Sequence, residues 1–213
     1  MRGQRLSGRL LATAGAAAAG YALGSLSPAA AAARLTGADL RGSGSGNPGA
    51  TNAARTMGVK VGVAVGAIDV AKGYLPVWFF SRYGDPAPQV AGLAAVAGHI
   101  TSPLLKGQGG KGVATSLGSI LALEPAYAIP VLATFGVTAR ATHEVGVGSV
   151  LGSLTLVPTS LLYWRGAATF GFAVGMSSMV LYRHRGNLVR FFEEHRGGAE
   201  EDTRAQRSAT PTP

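Results

Sequence analysis

The chain has 213 residues, of which 47% are hydrophobic and only 14% charged, against roughly 25% charged in a soluble domain. It contains no cysteine, which excludes a disulfide framework, a Cys-based zinc site and a thiol nucleophile. The net charge of +9 is compatible with nucleic-acid binding, but the apolar residues come in blocks, and basic cytoplasmic loops of a membrane protein account for the same excess. The reading is therefore one polytopic membrane domain with no nucleic-acid partner, whose basic face also suits anionic substrates.

About 20 helical residues cover the roughly 30 Å hydrocarbon core. In chain order the apolar blocks are Leu10–Leu35, Val61–Phe80, Val90–Leu105, Val113–Leu123, Ala126–Thr138, Val145–Trp164 and Ala167–Tyr182. Several are short, which is tolerated where backbone lines a protein-enclosed cavity. The expected fold is an all-α polytopic bundle of about seven transmembrane helices; five or six crossings with one re-entrant piece is the alternative. Arg2, Arg5 and Arg9 before an Ala-rich run also fit a signal peptide, but the length of the run and the blocks that follow favour a retained span.

With seven spans and an external N-terminus, thirteen basic residues collect on one face, from Arg34, Arg41 and Arg55 to the arginines after Tyr182, and five on the other. This bias places the first face, with the C-terminal tail, in the cytoplasm of a bacterial inner membrane. Residues 1–195 form the membrane domain. Residues 196–213, "RGGAEEDTRAQRSATPTP", are polar and aperiodic and are expected to be disordered.

Three polar segments lie on the basic face. The first is "GSGSGNPGATNAARTMG", Gly42 to Gly58. The second, "LLKGQGGKGVATSLG" from Leu104 to Gly118, places Lys106 and Lys111 among glycines ahead of a helix start. Glycines let N–H groups approach an anion and a helix N-terminus adds partial positive charge; a basic turn near lipid headgroups is the plainer reading. Lys111 is followed by Gly112, so this is not a nucleotide-binding P-loop. The third is "YRHRGNLVR", where His184 and Asn187 share a face if helical; anionic-lipid contact is the alternative. Within the second block Asp69 and Lys72 stand at i and i+3, either as a neutralising pair or as a wall of a site. His99 reads as a buried hydrogen-bonding group. No H-x-x-x-x-D, H-E-x-x-H or G-x-S-x-G motif is present and no metal-ligand spacing, so chemistry here runs on anion binding and small polar groups, without metal or cofactor.

"SGNPGATNAARTMG", "AIDVAKGYLPV", "GHITSPLLKGQGGKGVATSLG" and "HRGNLVR" resemble, in order, the motifs of the bacterial acyl-phosphate:glycerol-3-phosphate acyltransferases. That resemblance implies a multi-span inner-membrane enzyme that transfers an acyl group from acyl-phosphate to the 1-hydroxyl of sn-glycerol 3-phosphate, with membrane lipids around it. It implies catalytic roles for Ser45, Arg55, Lys111, His184 and Asn187, and substrate or phosphate binding by Asn47, Asn52, Gly109, Gly110, Gly112 and Thr115. The chain departs from the family at "THEVGVGS", where His143, Glu144 and Gly146 replace arginine, tyrosine and serine. It departs again where Glu194 and Arg196 replace the glycine and glutamate of a G-x-E. A paralogue acting on another phosphorylated acceptor, or a non-enzymatic anion carrier or scaffold, are the alternatives; a carrier should show repeated halves, and no convincing internal repeat is seen.

Overall fold

The computed structural model describes residues 2–209; the side chains of residues 2–5, 194, 195 and 197–209, Glu194 among them, lie outside the description. The described residues form ten α-helices, two single 3₁₀ turns and no strand. The helices are α1 (Arg2–Ser25), α2 (Pro28–Thr36), α3 (Ala50–Met57), α4 (Val59–Phe80) and α5 (Ala87–Thr101), followed by α6 (Val113–Leu123), α7 (Pro125–Thr142), α8 (Val145–Leu154), α9 (Leu156–Leu162) and α10 (Ala167–Ala209).

Local chemistry fixes the boundaries. The Ser27 hydroxyl accepts from the Ala30 N–H, Pro28 fills the first turn of α2, and Gly37 closes it in the left-handed conformation. The sixth apolar block is two helices, α8 and α9. Pro158 has no N–H to offer Leu154, and the Thr155 hydroxyl donates to the Gly152 carbonyl at the break. The last helix does not stop at residue 195: α10 continues to Ala209, where the sequence reading expected an irregular tail. The segment contains no proline before Thr210 and, apart from Gly197 and Gly198, is rich in Ala, Glu and Arg, so a helix already nucleated inside the bundle can propagate through it. Residues 210–213 lie outside the described residues.

Among the described residues three stretches are long and apolar enough to cross a membrane, Leu6–Thr36, Val59–Tyr83 and Val145–Leu162; Val113–Leu123 is apolar but shorter. α1 is an integral part of the bundle. It runs beside α5 with Gly20 against Ala91 and Gly24 against Ala95, so close that a Cβ on Gly24 would collide with the Ala95 carbonyl. Small residues at such a seam let backbones approach where water supplies no hydrophobic drive. α7 and α8 are antiparallel, with Gly148 near Ala139 and Gly152 near Val131. The interior cluster of Val96, Ile120, Tyr127, Leu156, Phe172 and Met176 joins α5, α6, α7, α9 and α10. Large apolar side chains such as Leu11, Val63, Trp78 and Ile129 point outward, which suits lipid and would be a liability in water. Inside, Asp69, Lys72, His99 and several serines are buried.

Candidate active site

The first loop is shaped by Asn52. This side chain is buried in α3; its Nδ2 donates to the Leu40 carbonyl and its Oδ1 accepts from the Ser45 N–H, both at 2.9 Å. The loop is tightened further by Asp39 Oδ1, which accepts from the Arg41 and Gly42 N–H groups. Asn52, expected to bind substrate, does line the cavity, and its amide is also engaged by the loop backbone at both ends, which fixes Ser45. Ser45, Asn47 and Arg55 all face one cavity of about 600 Å³. Among the described residues neither the Ser45 hydroxyl nor the Arg55 guanidinium makes a hydrogen bond, which leaves both free to meet a ligand.

The second loop corrects the sequence reading more sharply. The Gly109 and Gly110 N–H groups do not cradle an anion: they donate to the last carbonyls of α5, Ile100 at 3.0 Å and His99 at 3.1 Å. Neither glycine lines the cavity. Both are small because the loop lies flat on α5, and a Cβ on either would collide with His99. Two arginines take the opposite side of the loop. Arg41 Nη2 donates to the Gln108 carbonyl at 2.5 Å, and Arg183 donates through Nη2 to Gly109 at 2.9 Å and through Nε to Gly110 at 3.2 Å. Three successive carbonyl dipoles are thereby turned onto cations and away from the cavity. Lys111 and Gly112 emerge on the cavity side, at the start of α6, whose first-turn N–H groups have no intrahelical acceptor. Thr115, also expected at the site, is fully buried against α4 and does not reach the cavity. Its neighbour Ser116 does.

One stretch of α10 completes the polar end. Asn187 Oδ1 accepts from Lys111 Nζ at 2.6 Å, which leaves the amide NH2 to donate elsewhere. His184 is buried, with Nδ1 2.9 Å from the Val180 carbonyl. A carbonyl cannot donate, so Nδ1 carries the proton and Nε2 is left as an acceptor. Burial, with the charges of Lys111 and Arg183, pushes the His184 pKa down to about 4 against the opposing pull of the Val180 bond. The ring is neutral at pH 7. Burial, then Arg190, Arg183 and Arg55, also lower the Lys111 pKa, with Glu144 opposing them.

Three of the positions that depart from the family pattern, His143, Glu144 and Gly146, sit on the same cavity. His143 ends α7 in the left-handed conformation, and Glu144 precedes α8; both line the mouth. Gly146 abuts Asn187, at 3.0 Å from where its Cβ would be, so Asn187 fills the space a side chain would need. On the far wall Asp69 pairs with Lys72 at 2.9 Å and lies 3.5 Å from His99 Nδ1. The two readings of that pair therefore coincide: it is neutralised and it walls the cavity. Beyond the polar residues the cavity becomes apolar, lined by Leu117, Ile120, Leu132, Phe135, Leu156 and Met176. Sequence reasoning missed Arg41, Arg183 and Ser116. Arg183 and Ser116 carried usable signals, since Arg183 immediately precedes His184 in the third segment and Ser116 follows Thr115 at the helix start of the second; Arg41 did not.

The glycerol-3-phosphate acyltransferase family model matches residues 14–194. The glycerol-3-phosphate acyltransferase of Myxococcus xanthus is 42% identical over 159 residues, covering 73% of this chain and 83% of that protein. That of Thermoanaerobacter sp. is 39% identical over 155 residues, covering 71% and 77%. Among solved structures, crystal structures of PlsY (YgiH), an integral membrane glycerol 3-phosphate acyltransferase, superpose with a TM-score of 0.81 in two forms. The glycerol 3-phosphate form is 30% identical and covers 88% of this chain and 93% of that one. The lysophosphatidic acid form is 29% identical and covers 85% and 92%. With the cavity and helices α2 to α9 inside the matched region, this chain belongs to the glycerol-3-phosphate acyltransferase family.

Proposed function

We propose that residues 1–195 are a bacterial plasma-membrane enzyme that transfers an acyl group from acyl-phosphate to the 1-hydroxyl of sn-glycerol 3-phosphate, giving lysophosphatidic acid and inorganic phosphate. The observation that carries this reading is a single cavity with two unlike ends. At one end Arg55, Lys111 and the α6 N-terminus converge with His184 and Asn187; at the other the wall is apolar. Two phosphates and one acyl chain match those ends. The relatives are glycerol-3-phosphate acyltransferases by name, which favours this over a carrier or scaffold.

Lys111, the Gly112-led start of α6 and the Asn187 amide hold one phosphate; the free guanidinium fork of Arg55 holds the other. Ser45 and Asn47 hydrogen-bond the acyl carbonyl or the incoming hydroxyl. The hydroxyl oxygen attacks the acyl carbon, the carbon–oxygen bond to phosphate breaks, and phosphate leaves with that electron pair. A good leaving group and fixed cations supply the acceleration by positioning and charge stabilisation. His184 accepts a hydrogen bond from the hydroxyl and orients it. With a pKa of about 4 it is a weaker base than the departing phosphate, so the proton ends on phosphate. Gly109 and Gly110 act by holding Lys111 in place. The seven-span topology, with the loops and C-terminus cytoplasmic, belongs to the same proposal.

The test is purified protein with acyl-phosphate and radiolabelled glycerol 3-phosphate. Lysophosphatidic acid and phosphate should appear one to one. Absence of acylated product would overturn the activity, and full activity in Arg55→Lys or Lys111→Ala would overturn the roles.

A further inference from the structure

We propose that Asp69, His99 and Ser116 form a subsite that reads the acceptor's second hydroxyl, the one that is not acylated. The inference rests on the acyl-transfer reading above and adds the part of the acceptor that this corner recognises.

Ser116 is the first observation. Serines on membrane helices commonly donate to a carbonyl one turn back, and Ser119, Ser149, Ser153 and Ser160 do so here. Ser116 does not. Its Oγ is buried, has no hydrogen-bond partner among the described residues, and lies on the cavity wall. A buried hydroxyl without a partner is costly, and this one belongs to a residue that lines the space a ligand enters.

Asp69 is the second. It is 2% exposed and lines the same cavity, 3.5 Å from His99 Nδ1. Lys72 and His99 both approach Oδ1, and a carboxylate has about four lone-pair sites, so acceptor capacity remains. Lys72 also cancels its charge, so the corner does not repel a nearby phosphate. A carboxylate only accepts, and therefore calls for a donor. Acyl-phosphate offers acceptor oxygens alone at neutral pH. Glycerol 3-phosphate brings two hydroxyls, one of which is acylated. The other, a secondary alcohol, donates to Asp69 and accepts from Ser116. A methylene at that carbon does neither.

The spacing fits. The Ser116 N–H donates to the Gly112 carbonyl at 2.8 Å, so Ser116 sits one helical turn below the anion-binding start of α6. Four residues at roughly 1.5 Å each give about 6 Å, a distance that a three-carbon phosphomonoester bridges.

The experiment compares two acceptors, glycerol 3-phosphate and 3-hydroxypropyl phosphate, which keeps the primary hydroxyl and lacks the secondary one. Each is assayed with acyl-phosphate in the wild type, Ser116→Ala and Ser119→Ala. Ser116→Ala removes one oxygen and leaves the Asp69–Lys72 pair intact, so it spares the fold. The wild type should prefer glycerol 3-phosphate by about tenfold or more in kcat/KM. Ser116→Ala should lower kcat/KM for glycerol 3-phosphate alone and narrow that gap; Ser119→Ala should leave it unchanged. Equal use of the two acceptors by the wild type, or an equal loss for both in Ser116→Ala, overturns the subsite. Acylation of neither acceptor by the wild type overturns the acyl-transfer reading itself.

Discussion

Arg183 touches no cavity space, yet it fixes the loop that presents Lys111. Its two bonds to the Gly109 and Gly110 carbonyls are charge-assisted, each worth roughly 1.5–3 kcal/mol net. Arg183→Ala should therefore raise KM for glycerol 3-phosphate by about tenfold or more while changing kcat less. Arg183→Lys should recover part of the loss, as steady-state kinetics will show. His184 gives a second prediction at this scale. Its pKa in the fold is about 4 and that of an unfolded histidine about 6.5. Between those values the unfolded chain binds more protons, so stability falls as pH drops from about 6.5 towards 4. Nitrogen chemical shifts of the ring should report a neutral Nδ1–H form at pH 6. Thermal unfolding in detergent should show the acid-side loss in the wild type and a flatter curve in His184→Gln. The motif resemblance singled out Ser45, Arg55, Lys111, His184 and Asn187, and the structure places all five on one cavity. The role of Asn52 was not legible, because a free amide and an amide locked between Leu40 and Ser45 look the same in a sequence.

At the scale of elements, most helices coincide with the apolar blocks, since a segment that lies in lipid must satisfy its own backbone. α6 matches its block residue for residue. The errors fall where composition is silent. The sixth block breaks at Thr155 because of a proline three residues on, and α10 overruns its block because good helix formers follow it. The α1–α5 seam shows what such elements depend on. Any side chain at Gly24 meets the backbone carbonyl of Ala95, an atom that cannot swing aside. Gly24→Val should force the two helices apart and cost about 2–3 kcal/mol, within the usual range for overpacking, measured as a lowered unfolding temperature in detergent. Gly8→Val, on a turn of α1 with nothing within 4 Å of the position, should cost far less.

For the whole molecule, the absence of native cysteine makes topology directly testable. In the proposed arrangement Arg140→Cys faces the cytoplasm and Arg82→Cys the outside. A membrane-impermeant thiol reagent should label Arg82→Cys in intact cells and Arg140→Cys only after permeabilisation; the reverse pattern would invert the bundle. Composition and the blocking of apolar residues determined by themselves that this is a helical membrane protein, because lipid admits few backbone solutions. The motif residues named the chemistry. Only the tertiary structure decided which polar groups remain available: the N–H groups of Gly109 and Gly110 are taken by α5, their carbonyls by Arg183, and Thr115 by the packing on α4. Ser116 and Asp69, on different helices, line one cavity. Hydrogen-bond partners are set by which helices meet, and that contact lies across tens of residues of sequence.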